Sequence, residues 1–211
     1  MYIDFHTHTA KKSNAIYNVI VGENKIPKSL WFSVGIHPWY IKKDYSKQLE
    51  YLEQILAQNH KNLLLIGECG IDKNKASASI TTQTIVLEKQ IEFSEKYNKP
   101  LVLHCVKAYN ELIALHQKLH PKQKWIIHGF NKKEQLAQQL IKQGFYLSFG
   151  YDTLQRIDYL KRIPLDKLFL ETDDNSGKSI EEIYILASQK LNKSKEELAR
   201  VIKKNLWTVI G

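Results

Sequence analysis

Short apolar runs recur along the chain and alternate with amphipathic stretches. Runs of this length, rich in branched and aromatic residues, are typical of buried strands, and the stretches between them have helical periodicity. The pattern predicts eight strands, at Tyr2–His6, Ile16–Val21, Leu30–Ile36, Leu63–Glu68, Leu101–His104, Trp125–His128, Phe145–Phe149 and Leu168–Glu171. It predicts helices at Tyr45–Gln58, Thr82–Tyr97, Tyr109–Leu119, Lys132–Gln143, Asp152–Lys161, Ile180–Leu191 and Lys195–Val209.

The order of these elements predicts an α/β fold, a (β/α)-barrel of the TIM type. Strands that alternate with helices form a parallel sheet, and eight such strands can close into a barrel. The segments that flank Ile16–Val21 are too short for crossover connections, which need about a dozen residues. We therefore expect the first two helices to be reduced or missing, unless Ile16–Val21 runs antiparallel in a hairpin. Apolar side chains on that flank should then be covered by a second copy of the chain or by the C-terminal helix that carries Trp207.

Length and composition indicate a single globular domain without a membrane span or a disulfide framework. The 211 residues, of which 43% are hydrophobic, predict one globular domain over residues 1–211. No apolar run approaches the roughly 20 residues that span a bilayer, and the first residues do not resemble a signal peptide, so we expect a cytoplasmic protein with no membrane contact. The two cysteines, Cys69 and Cys105, exclude a disulfide framework, and we expect both to be packing residues.

Histidines and carboxylates, the residue types that commonly bind metal ions, lie at the ends of five predicted strands. They are His6, His8, Glu68, His104, His128, Glu171 and Asp173. In a (β/α)-barrel the carboxyl ends of all strands converge on the face where active sites are built. His6 and His8 are two residues apart on an extended segment, so their rings point to the same side. The sequence therefore predicts a metal site made of His6, His8, Glu68, His104, His128 and Asp173.

Two further residues near this face, Glu171 and His37, have other expected roles. Glu171 lies deeper than Asp173, and we expect it to orient a histidine ligand. His37 follows the third strand, where it is either a substrate contact or a loop anchor.

The motifs as a set resemble those of the TatD-type metal-dependent hydrolases. They are Asp4-Phe5-His6-Thr7-His8, Gly35-Ile36-His37-Pro38, Ile66-Gly67-Glu68-Cys69-Gly70-Ile71-Asp72, Leu103-His104-Cys105, Ile127-His128-Gly129-Phe130, Ser148-Phe149-Gly150 and Leu170-Glu171-Thr172-Asp173. The resemblance implies a TIM barrel, two divalent metal ions and phosphodiester hydrolysis, often of DNA. It also implies that His6 and His8 hold one ion, that Glu68 bridges both, and that His104 and His128 hold the other. Asp173 would orient the attacking water, which makes Asp173 and Glu68 the catalytic residues.

The chain departs from the usual family pattern where substrate would bind. Val106-Lys107 stands where an Arg usually follows the histidine of the fifth strand, and Trp39 stands where a His often follows Gly-x-His-Pro. We expect Lys107 and His37 to contact substrate. The loops after the strands are rich in cations, namely Lys11, Lys12, Lys73, Lys75, Lys107, Lys132, Lys133, Arg156 and Lys178. A ring of cations favours a polyanionic partner such as DNA or another phosphodiester, although Lys-rich helices alone would also explain the net charge of +9.

The expected function is divalent-metal-dependent hydrolysis of a phosphodiester, as in a deoxyribonuclease. Histidines with carboxylates suit Zn²⁺ or Mn²⁺, and the resemblance leaves Mg²⁺ open. Two alternatives share the same ligands: an amidohydrolase-type enzyme that acts on an amide, lactone or small phosphoester, and a metal-binding barrel without catalysis. The sequence leaves the oligomeric state open.

Overall fold

The computed structural model describes residues 1–10, 14–174 and 177–211. Eight parallel strands pair in chain order: β1 (Asp4–Thr7), β2 (Ala15–Ile20), β3 (Phe32–Gly35), β4 (Leu63–Asp72), β5 (Leu101–Val106), β6 (Trp125–Ile127), β7 (Tyr146–Phe149) and β8 (Leu168–Leu170). The helices among the described residues are α1 (Tyr45–Ala57), α2 (Ile80–Tyr97), α3 (Tyr109–Leu119), α4 (Glu134–Lys142), α5 (Tyr151–Arg156), α6 (Ile180–Leu191) and α7 (Lys195–Ile210). None of these described helices is long and apolar enough to cross a membrane.

The sheet closes between its first and last strands. Thr7 and Asp173 form a parallel bridge, in which the Asp173 N–H donates to the His6 carbonyl at 2.9 Å and the His8 N–H donates to the Asp173 carbonyl at 3.1 Å. The Tyr184 hydroxyl of α6 bonds both the N–H and the carbonyl of Ile3, which fixes the start of β1. The predicted TIM-type barrel is confirmed, and its seam is made by the segments that carry His6, His8 and Asp173.

The flank around β2 lacks its helices, as expected. Within the described residues no helix lies between β1 and β3, and Lys11 and Lys12 lie outside the described residues. β2 runs parallel to both of its neighbours, so the alternative of an antiparallel hairpin is wrong. Val19 and Val21 are buried within the single chain, and Trp207 of α7 packs edge-to-face on Trp31 with ring centroids 5.9 Å apart. The C-terminal helix therefore covers part of this flank, and burial of the two valines requires no second copy.

Several helix boundaries follow from the capping signals in the sequence. Asn98 adopts the left-handed conformation that ends α2. Ser179 and Glu182 form a reciprocal capping box at the start of α6, and the Ser194 hydroxyl accepts the Glu197 N–H at the start of α7. The predicted helix Asp152–Lys161 is too long, because the backbone becomes extended at Ile157 and only a 3₁₀ turn follows at Leu160–Arg162.

β4 is longer than the sequence indicates and runs on from Glu68 to Asp72. It pairs with β5 as far as Val106, so β5 also exceeds its predicted end at His104. Two glycines allow this close approach. A Cβ on Gly67 would lie 2.3 Å from the Val102 carbonyl oxygen, and one on Gly70 would lie 2.0 Å from that of His104. Only glycine fits at such contacts with positive φ.

Two buried glutamines of α2 bind the ends of the strands that lead into the site. Gln90 accepts the Ile36 N–H at 2.8 Å and donates to the Ile36 carbonyl at 3.2 Å. Seven residues earlier, Gln83 bonds the Asp72 N–H at 2.8 Å and the Asp72 carbonyl at 3.3 Å in the same way. Buried backbone groups beyond the sheet ladder need such partners. The two amides therefore hold the ends of β3 and β4 against α2.

We expect Gln90→Leu to destabilise the fold markedly. The change keeps the size of the side chain but leaves the buried N–H and carbonyl of Ile36 without partners, which costs about 2 kcal/mol or more. Urea unfolding followed by circular dichroism measures the loss. The matched control is Gln54→Leu on the exposed face of α1, which should shift the free energy of unfolding by less than about 0.5 kcal/mol. Equal stabilities for the two variants would contradict the role of Gln90.

Candidate metal centre

The six predicted ligands meet at the carboxyl ends of the strands. His6 lies in β1 and His8 just beyond it, Glu68 and His104 lie in β4 and β5, and His128 and Asp173 follow β6 and β8. Their donor atoms, with those of His37, fall into three overlapping groups whose members lie within 4.8 Å of one another. The groups are His6, His8 and Glu68; His6, His128 and Asp173; and His37, Glu68 and His104.

The Glu68 carboxylate lies at the centre, and its two oxygens face different sets of histidines. Oε2 lies 3.4 Å from Nε2 of both His6 and His8. Oε1 faces three other rings, at 2.7 Å from His104 Nδ1, 2.7 Å from His128 Nε2 and 3.1 Å from His37 Nε2. One carboxylate thus faces two sets of histidines, one at each oxygen, and the sets meet where the His6 and His128 ring centroids lie 4.3 Å apart.

The two acids after β8 occupy different depths. Asp173 is 36% exposed, and its Oδ1 lies 3.7 Å from His6 Nε2 and 3.5 Å from His8 Nε2. Its φ of 56° is left-handed, a conformation that aspartate tolerates better than most residues. Glu171 is fully buried, accepts the Gly129 N–H and places Oε1 3.6 Å from His128 Nδ1. Asp173 therefore lies at the accessible edge of the centre, and Glu171 lies behind a histidine.

The charges in the centre depend on one another. Burial alone would raise the pKa of Glu68, but His128, His104 and His37 outweigh it and hold that pKa well below its usual value. Burial likewise opposes a charge on His128, yet Glu68 and Glu171 raise the pKa of its ring well above the ordinary value. The protein therefore keeps an anion at Glu68 and favours a positive charge on the neighbouring His128 ring.

The donor set fits a divalent cation. His6 is completely buried, and neither of its ring nitrogens has a hydrogen-bond partner among the described residues. Buried polar atoms are nearly always paired, so such a ring calls for a missing partner. Imidazoles combined with carboxylates are the ligands of Zn²⁺ and Mn²⁺. A cation between Glu68 Oε2 and the Nε2 atoms of His6 and His8 would provide that partner for His6 Nε2.

Comparison with known proteins agrees with this geometry. The model of the TatD-related DNase family matches residues 3–211. The chain belongs to this family. It is similar to the metal-dependent hydrolase YjjV of Escherichia coli, with 24% identity over 90% of this chain and 80% of YjjV. It is also similar to the 3'-5' ssDNA/RNA exonuclease TatD of Erwinia tasmaniensis, with 25% identity over 70% of this chain but 59% of that protein.

Solved structures of the TatD family share the fold. The crystal structure of E. coli YjjV superposes with a TM-score of 0.84, 19% identity and coverage of 99% of this chain and 97% of that one. A TatD-family hydrolase from Entamoeba histolytica gives a TM-score of 0.73 and 19% identity, with coverage of 93% and 84%.

Asn18 of β2 contacts Glu68 and was missed by the sequence analysis. Its Oδ1 accepts the Glu68 N–H at 2.9 Å, and its Nδ2 donates to Glu68 Oε2 at 3.0 Å. The Ser33 hydroxyl donates to the same Oδ1 at 3.4 Å. All three side chains are buried. Asn18 thus fixes both the backbone and the carboxylate of Glu68, and its only signal in the sequence is an amide inside an otherwise apolar run.

Asp72, at the end of β4, is the second omission. Its Oδ2 accepts the Trp39 indole N–H at 2.6 Å and lies 3.2 Å from His104 Nε2. Burial would raise its pKa, but hydrogen bonds from Trp39, from two backbone N–H groups and from His104 outweigh burial and lower it to about 2. A carboxylate behind a histidine fixes the orientation and tautomer of the ring. Trp39, one of the departures from the family pattern, therefore acts on His104 through Asp72.

The two predicted substrate contacts lie in different environments. His37 is buried, and its Nδ1 accepts the Trp39 N–H at 3.1 Å, which anchors the turn Pro38–Tyr40. Its other nitrogen faces Glu68, so the interpretation as an anchor has direct contacts, and a contact with substrate stays a prediction. Lys107 is exposed just beyond β5 with a φ of 56°, and its role as a substrate contact also stays a prediction.

The cysteines are buried and free, as the packing interpretation requires. Burial raises the pKa of the Cys69 thiol far above its usual value and that of Cys105 to about 12. Neither thiol forms a thiolate near neutral pH, so neither acts as a nucleophile.

We expect Asn18→Ala to weaken metal binding about 10- to 100-fold, because loss of a residue that orients a ligand typically has that effect. Metal titration by calorimetry measures the affinity. Asn205→Ala is the matched control: this amide is also buried, but it binds the Leu165 and Leu168 carbonyls at the opposite end of β8. The control should lower stability and leave metal affinity unchanged. An equal loss of affinity in both variants would mean that Asn18 acts only through general stability.

Proposed function

We propose that this protein is a phosphodiesterase that uses two divalent metal ions and acts on nucleic acid. His6, His8 and Asp173 would hold one ion, His104 and His128 would hold the other, and Glu68 would be shared between them. The observation that carries the proposal is the division of the Glu68 carboxylate between two histidine clusters, one at each oxygen. A bridging carboxylate is how two ions are held at the short separation that phosphodiester chemistry uses.

Relatives support the reaction and the class of substrate. One is named a metal-dependent hydrolase, another a 3'-5' ssDNA/RNA exonuclease, and a human relative a 3'-5' RNA nuclease, with 26% identity over 68% of this chain and 20% of that protein. We extend this activity to the present chain and take single-stranded DNA or RNA as the substrate class. A cytoplasmic location, a single domain over residues 1–211 and the expected roles of His37 and Lys107 stay predictions.

The residues of the centre divide the chemistry between them. Divalent ions at this site would lower the pKa of water and neutralise negative charge on the phosphate. Asp173 is the partly exposed acid beside His6 and His8, so it can accept the proton of an attacking water. Glu68 is completely engaged by histidines and Asn18, which suits it to hold the centre together rather than to exchange protons. Asp72 and Glu171 keep His104 and His128 in position.

Metal analysis tests the composition of the centre. After reconstitution with Zn²⁺, Mn²⁺ or Mg²⁺, we expect up to two ions per chain by elemental analysis. The double variant His6→Ala/His8→Ala should lose one ion and keep part of the other, because His104 and His128 remain. A wild-type protein that binds none of the three metals would contradict the proposal, as would a double variant that retains the full complement.

Turnover tests the reaction itself. We expect the reconstituted protein to cleave single-stranded oligonucleotides in a panel that also contains duplex DNA, RNA, an amide and a lactone. Asp173→Asn should lower kcat by about 100- to 10,000-fold while the fold and at least one metal ion persist, since loss of a general base has that cost. The control is Asp166→Asn, at the exposed opposite end of β8, which should leave kcat unchanged. Hydrolysis of the amide or lactone alone would reject the phosphodiesterase, and near-normal turnover in Asp173→Asn would place the base elsewhere.

A further inference from the structure

The metal centre is accessible from one side. Side-chain exposure is 0% for His6, 2% for Glu68 and 7% for His128, but 32% for His8 and 36% for Asp173. Trp39 and Asp72 lie against His104, whose side chain is 13% exposed. The two most exposed of the six ligands, His8 and Asp173, therefore mark the side from which a substrate can reach the centre.

A groove begins at this open side and continues away from the centre. A recess of about 300 Å³ is lined by Asp173, Gly129 and Tyr151 and extends to Arg156. A second recess of about 710 Å³ continues from Arg156 to Lys132 and Lys133. The two recesses share Asn131, Thr153 and Arg156, so they lie side by side between the segments that follow β6 and β7. We refer to them together as the groove.

The far part of the groove carries three cations without an ion pair among the described residues, beside two acids that lie close to Arg162. In the described part of the chain, Lys132, Lys133 and Arg156 make no ion pair with an acidic side chain, whereas Arg162 engages the neighbouring Glu134 and lies 3.9 Å from Asp158. Other cations of the predicted ring differ in this respect. Lys73 pairs with Glu111, and Lys178 pairs with Glu182 at 3.0 Å. The three groove cations therefore remain available to an external anion.

Charge changes sign along the groove. The part next to the centre is lined by Asp152, Asp173 and Asp174, which repel phosphate unless metal ions are bound, with Arg156 at its end. The far part is lined by the three cations and by two acids, Glu134 and Asp158, that lie beside Arg162. A small phosphodiester would use only the first part. A polyanion that extends from the centre would use both.

We propose that Arg156, Lys132 and Lys133 bind the phosphates of nucleotides next to the scissile bond in a single-stranded nucleic acid. The inference rests on the proposed function, because it takes the metal centre as the cleavage point. The recess beside Asp173 is at the small end of ligand pockets, which suits one unpaired nucleotide better than a duplex. Arginine and lysine contacts to backbone phosphates supply affinity without sequence preference.

Binding of a phosphorothioate single strand to the reconstituted protein tests the groove without turnover. In a salt series followed by fluorescence anisotropy, Arg156→Gln should weaken binding about tenfold and reduce the slope of log K against log salt by about 0.7 for one lost contact. Lys132→Gln/Lys133→Gln should reduce it further. Lys61→Gln, an exposed lysine on the opposite face of the barrel, is the matched control and should change neither quantity.

Turnover provides the second measurement. For the groove variants, the ratio of kcat/KM on a long oligonucleotide to kcat/KM on bis-p-nitrophenyl phosphate should fall about tenfold. The proposal is overturned if both groove variants bind the strand as the wild type does, if Lys61→Gln loses as much affinity as they do, or if a duplex binds as tightly as the single strand. Salt-dependent binding through Arg156 in a protein that hydrolyses no phosphodiester would support the groove and reject the proposed function.

Discussion

An ionised carboxylate buried at the carboxyl end of the barrel is the constraint on which this structure depends. Glu68 is 2% exposed, and an unpaired charge at such depth would cost several kcal/mol. The chain compensates by directing imidazoles from separate strands onto its two oxygens and by binding it with Asn18. Each contact requires a strand end at a fixed position, so the electrostatic requirement of one side chain determines much of the local geometry.

Residues outside the metal centre hold those strand ends in position. Gln83 and Gln90 of α2 bind the ends of β4 and β3, and Tyr184 of α6 binds the start of β1. The strand without flanking helices, β2, contributes one buried amide, Asn18. That amide is held by β3 and β4 rather than by a helix. This arrangement explains how the centre retains its geometry although the described residues form no helix between β1 and β3.

Much of the centre could be predicted from sequence because one rule governs it: the carboxyl ends of parallel strands meet on one face. To apply this rule, only the ends of the strands had to be known. It predicted that His6, Glu68, His104 and the other proposed ligands lie close together. It missed Asp72 because Gly67 and Gly70 let β4 run on beside β5, so the true strand end lay four residues past the predicted one. It missed Asn18 and the α2 glutamines because their partners are backbone groups and a carboxylate that only tertiary packing brings within reach.

The contacts that hold His104 in position also affect how much of the metal centre is exposed. Trp39 donates its indole N–H to Asp72, and the Lys75 ammonium lies 4.8 Å from the centre of the Trp39 ring, so this wall is held from two directions. A histidine at position 39 would be smaller and would cover less of His104. Trp39 therefore covers one side of His104, with ring centroids 5.7 Å apart, and orients it through Asp72. Substrate selection then depends on the remaining side, where Asp173 is the innermost accessible group and the loops after β6 and β7 form the walls.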